Sequence, residues 1–122
     1  MTSEQLKDRT KQFALRVMKR VDSLPNTVKG RAIANQIIRS ATSVGANYRA
    51  TCRARSRAEF ISKIGIVEEE ADETAFWLEL IVGGGLRRQK QITALLCEVN
   101  ELVAIMAASR KSAIANRRSA IH

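Results

Sequence analysis

An acidic run in the middle of the chain is the part of the sequence that most resembles a chemical site. Five carboxylates fall within six residues: Glu68, Glu69, Glu70, Asp72 and Glu73. Glu69 and Glu73 are four residues apart, so on a helix they could face a single metal ion. A carboxylate di-iron site in a helical bundle also needs Glu-x-x-His pairs, and the only histidine is His122. The run therefore predicts a charge-paired or solvated helix face, with no metal site.

The other residue types that carry catalysis are missing or badly placed. Without a histidine inside the predicted fold, there is no Ser-His-Asp, Cys-His or zinc arrangement. Gly83-Gly84-Gly85 has no following Lys-Ser/Thr, so it predicts a helix end and not a phosphate loop. Cys52 and Cys97 lie far apart with no metal-ligand spacing, and we expect two reduced thiols. The sequence thus predicts a non-enzymatic protein, with no catalytic residue and no cofactor.

Basic residues are the second candidate for a functional surface, because the chain has 21 Lys and Arg against 12 Asp and Glu, a net charge of +9. The candidates for phosphate contact flank two predicted helix breaks: Arg49, Arg53, Arg55 and Arg57 at one, and Arg87, Arg88 and Lys90 at the other. No aromatic residue is interleaved with them, which disfavours stacking on single-stranded bases. The pattern predicts phosphate contact without sequence reading, to RNA or to DNA. A solvated basic surface is the alternative.

Four helices are predicted to position these residues. Apolar stripes at helical spacing extend from about Ser3 to Asp22, Thr27 to Arg53, Ser56 to Val82 and Arg88 to Ala113. Their breaks are marked by Pro25, by a capping box of Ser56 and Glu59, and by the three glycines after Val82. One proline and six glycines in 122 residues also disfavour a turn-rich β protein.

Loops of a few residues make consecutive helices antiparallel neighbours. We therefore predict an all-α domain over residues 1–113, an antiparallel up-down-up-down four-helix bundle, and a flexible basic tail over residues 114–122. An extended helical hairpin that dimerises is the alternative fold. Ser3 is the predicted N-cap of the first helix. Gly45, inside the second helix, should cost about 1 kcal/mol relative to alanine, and we expect helix packing to offset that cost.

Charge is distributed unevenly along the chain: +3 over residues 1–24, +7 over 25–57, −6 over 58–85 and +5 over 86–122. The second helix has no acidic residue, and the third has almost no basic one. Folding these helices back on each other about Ser56 brings Arg39 level with Glu73, and it brings Lys29 to the far end of the third helix. Complementary charge thus predicts that the second and third helices are neighbours.

Phe76, Trp77 and Leu80 lie beside the main apolar seam of the third helix. They predict an interface with a second copy of the chain or with a protein partner. A protein-interaction module with no nucleic-acid role is therefore the alternative function. The polar N-terminus predicts no signal peptide, and no apolar run approaches the ~20 residues of a membrane span. We expect a cytoplasmic protein that has no membrane partner.

The second helix carries a pattern that resembles a known family. An L-P turn precedes the pattern Q-x-x-R-[AS]-x-x-S-[IV]-x-x-N, met here by Leu24-Pro25, Gln36, Arg39, Ser43 and Asn47. The stretch from Glu73 to Leu80 is similar to the third helix of the same family. The resemblance is to small bacterial four-helix bundle proteins labelled as intervening-sequence proteins of 23S ribosomal RNA. It covers about residues 6–106.

The resemblance implies an assembled, non-catalytic protein. Some relatives are encoded within ribosomal RNA genes, and relatives form ring-shaped pentamers. A related accessory protein of diversity-generating retroelements binds nucleic acid and a reverse transcriptase. For this chain the resemblance implies a homo-oligomer, with the pentamer as the family's example, and a basic face. The motif residues are expected to shape packing between helices or between subunits: Gln36, Arg39, Ser43, Asn47 and Glu73.

Overall fold

The computed structural model describes the backbone of residues 1–121 and the side chains of residues 1–116, and it contains four α-helices. These are α1 (Ser3–Val21), α2 (Val28–Cys52), α3 (Arg57–Gly83) and α4 (Gln89–Ile121). Each helix packs against the next, and α1 also makes a smaller contact with α4. No strand occurs within residues 1–121. The prediction of an all-α, up-down-up-down four-helix bundle is confirmed.

The first two helices begin at threonine caps. Thr2, and not the predicted Ser3, caps α1: its side chain accepts from the backbone N–H of Gln5, and the Gln5 side chain accepts from the N–H of Thr2. The Thr27 side chain caps α2 by accepting from the N–H of Gly30 at 3.1 Å. Such bonds satisfy donors that the first turn of a helix leaves without a partner.

The predicted capping box of α3 is only half formed. Ser56 accepts from the N–H of Glu59 at 3.0 Å, as expected. The Glu59 carboxylate, however, accepts from the backbone N–H of Arg55 at 3.2 Å and not from that of Ser56. Glu59 therefore holds the α2–α3 loop in place in addition to its own helix.

The three-glycine run ends α3, as predicted. The N–H of Gly85 donates to the carbonyl of Val82, and the N–H of Leu86 donates to that of Ile81. Gly85 has φ 72°, the left-handed conformation that glycine adopts without a Cβ penalty. This pair of bonds is a Schellman motif, and its apolar contact comes from Leu86, which is buried.

Helix α4 continues past the predicted end at Ala113 and reaches Ile121. That boundary is therefore wrong. Residues 110–121 contain no glycine or proline and are rich in Ala, Arg and Lys, which favour helix even without an apolar stripe. The flexibility predicted for residues 114–122 stays a prediction, and His122 lies outside the described residues.

The core lies between the four helices and consists mainly of aliphatic side chains. The largest fully buried side chains are Phe13, Ile37, Ile64, Leu78, Ile81, Ile92, Leu102 and Met106. One polar contact crosses it, where the Thr74 hydroxyl lies 2.8 Å from the Ser40 hydroxyl, both fully buried. Each hydroxyl also contacts a carbonyl of its own helix, so the pair is satisfied.

By length and composition, α4 over Gln89–Asn116 is apolar enough to cross a membrane. The expectation that no segment approaches such a span is therefore wrong for α4. The core helix of a bundle meets the same criterion. Here Ile92, Val99 and Leu102 are buried against the other helices, and Glu98 forms an ion pair with Arg9.

Candidate nucleic-acid and subunit interfaces

The contact between α2 and α3 has the register that the charges predicted. The Arg39 guanidinium lies 2.7 Å from Glu73 Oε1, which also accepts a hydrogen bond from the Trp77 indole at 3.3 Å. Lys29 Nζ donates to the carbonyl of Gly84 at 2.8 Å, at the far end of α3. The prediction that these two helices are neighbours through opposite charge is confirmed.

The remaining motif residues do less than Arg39 and Glu73. Asn47 Nδ2 donates to the Ser43 carbonyl at 2.8 Å, so this contact lies within α2. Gln36 is exposed and makes no hydrogen bond to another described residue through its side chain. The polar pair of Ser40 and Thr74 was not singled out from the sequence. The only sign of this pair in the sequence was Thr74, a hydroxyl residue within the apolar seam of α3.

The Glu70 carboxylate lies beside Arg39 but is poorly matched to it. Its Oε1 atom is 3.9 Å from the guanidinium, and its Oε2 atom is buried without a hydrogen-bond partner among the described residues. Burial raises the pKa of Glu70, and the nearby charge of Glu73 raises it further, against the opposing effect of Arg39. Ionised Glu70 is therefore a destabilising feature of this contact.

Replacing Glu70 with glutamine is expected to stabilise the fold at about pH 7, by on the order of 1 kcal/mol. Because folding raises the pKa of Glu70, the protonated group favours the folded state at low pH, and this advantage is lost as pH rises through the folded pKa. The gain from Glu70→Gln should consequently shrink toward about pH 4. Urea denaturation at both pH values measures it, with the exposed neighbour Glu69→Gln as the control. Equal gains for both variants would contradict this account.

Arginines in the middle of the bundle are paired with carboxylates. Arg9 contacts Glu98 through two hydrogen bonds, of 2.8 and 2.6 Å, and this joins α1 to α4. The hydrogen bond from Arg9 lowers the pKa of Glu98. Arg110 lies 3.1 Å from Glu68 and joins α4 to α3. With Arg39, all three arginines in the middle of the bundle have an acidic partner.

The middle of the bundle is acidic as a whole. Its seven acidic side chains exceed its four basic ones and give a net charge of −3: Glu68, Glu69, Glu70, Asp72, Glu73, Glu98 and Glu101 against Arg9, Lys11, Arg39 and Arg110. Three members of the acidic run, Glu68, Glu70 and Glu73, face arginines, while Glu69 and Asp72 are exposed. The charge-paired and solvated face that the sequence predicted is confirmed. No three Asp, Glu, His or Cys side chains among the described residues are grouped to hold a metal ion.

Basic side chains gather at both ends of the bundle. The end formed by the α2–α3 loop, here the α2–α3 end, has three acidic side chains and seven basic ones, a net charge of +4: Lys7, Arg49, Arg53, Arg55, Arg57, Lys63 and Lys111. The opposite end, here the α3–α4 end, has two acidic and eight basic side chains, a net charge of +6: Arg16, Lys19, Arg20, Lys29, Arg31, Arg87, Arg88 and Lys90. The structure therefore places the two predicted basic groups on opposite ends.

The seven predicted phosphate-contacting residues have no carboxylate within 4 Å among the described side chains. All are exposed except Arg87, which is half-buried and donates to the Ser23 hydroxyl at 3.1 Å. Arg49 lines a groove of about 380 Å³ between α1 and α2 together with Lys7 and Lys11. Lys7 is ion-paired with Glu4 at 2.9 Å, whereas the seven predicted residues are free to contact an anionic ligand.

Sequence analysis missed a second basic groove, between α1 and α4. Arg16, Lys19 and Arg20 line this groove of about 330 Å³ beside the α3–α4 end. Its two walls come from the first and the last helix, so no segment of the sequence shows them together. The only sequence signal was the basic last turn of α1.

The three predicted interface residues differ in exposure. Phe76 and Leu80 are exposed, with 50% and 36% of their surface accessible. Trp77 packs partly against the core, and its ring meets Phe76 edge-on with ring centroids 5.2 Å apart. Phe76 and Leu80 are therefore available to a partner, whereas Trp77 mainly supports the fold.

Comparison with known proteins identifies the family of the chain and solved structures that are similar to it. The family model described as 23S rRNA-intervening sequence protein matches residues 4–108. A crystal structure of a protein of unknown function from the S23 ribosomal protein family of Bacteroides thetaiotaomicron is 35% identical, with a TM-score of 0.80. The match covers 86% of this chain and 97% of that one. No curated protein is significantly similar to the chain.

Proposed function

The chain belongs to the 23S rRNA-intervening sequence protein family, and from its basic ends we propose that it is a non-enzymatic accessory protein that binds nucleic acid and assembles with itself in the cytoplasm. The family name associates its members with ribosomal RNA genes but assigns no activity. The function proposed for this chain therefore has to come from its own surfaces.

The observation that carries the proposal is the sorting of charge into paired and unpaired groups. The three middle arginines all face carboxylates, and the seven candidate residues at the ends face none among the described side chains. Exposed cations without acidic partners repel one another at short range. The phosphates of a bound nucleic acid reduce that repulsion. Binding also releases counterions from the nucleic acid into solution, and this release favours binding.

Binding of this kind contacts the backbone of the nucleic acid and does not read its sequence. Little aromatic surface accompanies the basic residues: Tyr48 is buried, and exposed Phe76 lies on α3 away from both loops. Phe60 lines a groove with Arg57, but it also packs against the core, and this partial burial disfavours stacking on unpaired bases. Phosphate contacts alone give affinity that varies little with sequence.

Filter binding of RNA and DNA across a salt series tests the proposal. We expect binding at low salt, with the logarithm of the association constant falling linearly against the logarithm of salt at a slope of about −4, for roughly four phosphates contacted. Replacing the seven candidate residues with glutamine should weaken binding at least about tenfold at low salt. The variant Glu69→Gln with Asp72→Asn, which changes exposed charges in the middle, serves as the control and should still bind.

Absence of binding at low salt, or binding that salt does not weaken, would contradict the proposal. The alternative function is then a protein-interaction module without a nucleic-acid role. Exposed Phe76 and Leu80 favour that alternative, and they also support self-assembly in the main proposal. The two functions differ in one measurement, the salt-dependent binding of nucleic acid.

A further inference from the structure

Basic side chains gather at two opposite ends of the bundle. We propose that each end is a separate binding site, so that one protomer bridges two double-stranded nucleic-acid segments. This inference rests on the proposed function, since it presumes that the basic ends bind phosphates. It adds the number of sites, their separation and the form of nucleic acid that they hold.

The first support is distance. Helices α2 and α3 have 25 and 27 residues, so the ends they join lie roughly 37–40 Å apart at 1.5 Å per residue. The Debye length at physiological salt is only about 8 Å. Phosphates held at one end are consequently screened from the cations at the other end, and the ends act independently.

The second support is the acidic middle. A net charge of −3 lies between ends of +4 and +6, and its arginines are already paired. A straight duplex lying along α3 would place phosphates, one charge per about 1.7 Å of its axis, against exposed Glu69 and Asp72. On this face, that repulsion disfavours one duplex spanning both ends and favours two duplexes, one at each end.

The third support is that each end has its own concave surface. At the α2–α3 end, Arg49 and Lys7 line a groove between α1 and α2, whose other charged residues are Lys11, Glu4 and Asp8. At the α3–α4 end, Lys19 and Arg20 line the groove between α1 and α4. Neither groove offers an exposed aromatic ring, so both suit a stacked duplex better than splayed single strands.

A capture experiment with two short duplexes tests the bridge. One duplex of about 20 base pairs carries biotin and the other a fluorophore; both are far shorter than the roughly 150 base pairs over which DNA bends easily, so neither can loop to both ends. Protein is added with streptavidin beads at low salt, and the captured fluorescence is measured. DNA and RNA duplexes are tested in parallel.

Two variants each neutralise one end. The first carries Arg49→Gln, Arg53→Gln and Arg55→Gln; the second carries Arg20→Gln, Arg88→Gln and Lys90→Gln, which spares the hydrogen bond from Arg87 to Ser23. We expect wild type to capture the second duplex and, in an anisotropy titration at saturation, to bind two duplexes per protomer, whereas each variant binds one per protomer, a count that does not depend on the size of the oligomer. The control, Glu69→Gln with Asp72→Asn, should capture as wild type does.

Light scattering must show the same assembly for all forms, so that a lower count reports charge and not altered mass. Wild type that binds a duplex without capturing a second one overturns the bridge and leaves the proposed function standing. A one-end variant that binds as many duplexes per protomer as wild type also overturns it, because the neutralised end then holds none. Wild type that binds neither duplex contradicts the proposed function itself.

Discussion

Replacing Gly30 with alanine is expected to lower the free energy of unfolding by about 3 kcal/mol, the upper part of the range for overpacking. A Cβ at Gly30 would clash with the carbonyl oxygen of Pro25 and would lie 3.1 Å from Thr27 Oγ1. The first contact is with backbone, which cannot rotate away as a side chain can. The second involves the hydroxyl that caps α2, so relief of the clash also weakens the cap.

The matched control is Gly45→Ala, in the same helix. A Cβ there would meet Thr10 at 3.6–3.7 Å, which is ordinary van der Waals contact. Alanine loses less backbone freedom on folding than glycine does, so this variant should gain about 0.5–1 kcal/mol. Urea denaturation of both variants measures the difference. A Gly30→Ala protein as stable as wild type would show that the α1–α2 turn can move to accommodate the Cβ. A lower stability of Gly45→Ala would show that the packing around Gly45 is tighter than the structure has it.

These two glycines show where sequence-based prediction stops. The sequence marked Gly45 as costly, because it interrupts a long helix, and left Gly30 unremarked. The constraint on Gly30 comes from a carbonyl oxygen five residues earlier, whose position depends on the path of the turn. Residue type and spacing predict the helix, but they do not predict which backbone atom lies close to the Cα of a given residue.

The fold itself was predictable because its signals are local. A hydroxyl cap, a proline turn and a three-glycine run each end or begin a helix through contacts within a few residues. Opposite charge on the neighbouring helices α2 and α3 then predicted the pair of Arg39 and Glu73. The end of α4 was not predictable in the same way, because residues past Ala113 have helix-forming types but no apolar stripe to mark them.

The candidate surfaces also differ in whether the sequence alone predicts them. The basic groups around residues 49–57 and 87–90 are contiguous in sequence, and their clusters were predicted. The groove with Arg16, Lys19 and Arg20 needed the fold, since it forms between the first and last helices. The difference in exposure between Trp77 and Phe76 also could not be predicted without the fold. Adjacent residues on a helix point about 100° apart, and only the packing shows which of the two is covered.

Replacing Phe76 and Leu80 with serine is expected to dissociate the proposed homo-oligomer into protomers. The two side chains are one turn apart on α3 and exposed by 50% and 36%. Truncating two central apolar side chains at an interface costs about 2 kcal/mol each, so the dissociation constant should rise roughly a thousandfold. Wild type is expected to have several times the protomer mass by light scattering, and the variant the mass of one protomer.

The control is Leu15→Ser with Met18→Ser, a pair on α1 that is 46% and 44% exposed and removes comparable apolar surface. It should leave the assembly intact. Trp77→Ala is a poorer test, because Trp77 also packs against the core and bonds to Glu73, so its loss would weaken the protomer as well. Dissociation by the α1 pair alone would place the interface on α1. A wild-type protein with the mass of one protomer would contradict self-assembly, and exposed Phe76 and Leu80 would then favour a different protein as the partner of α3.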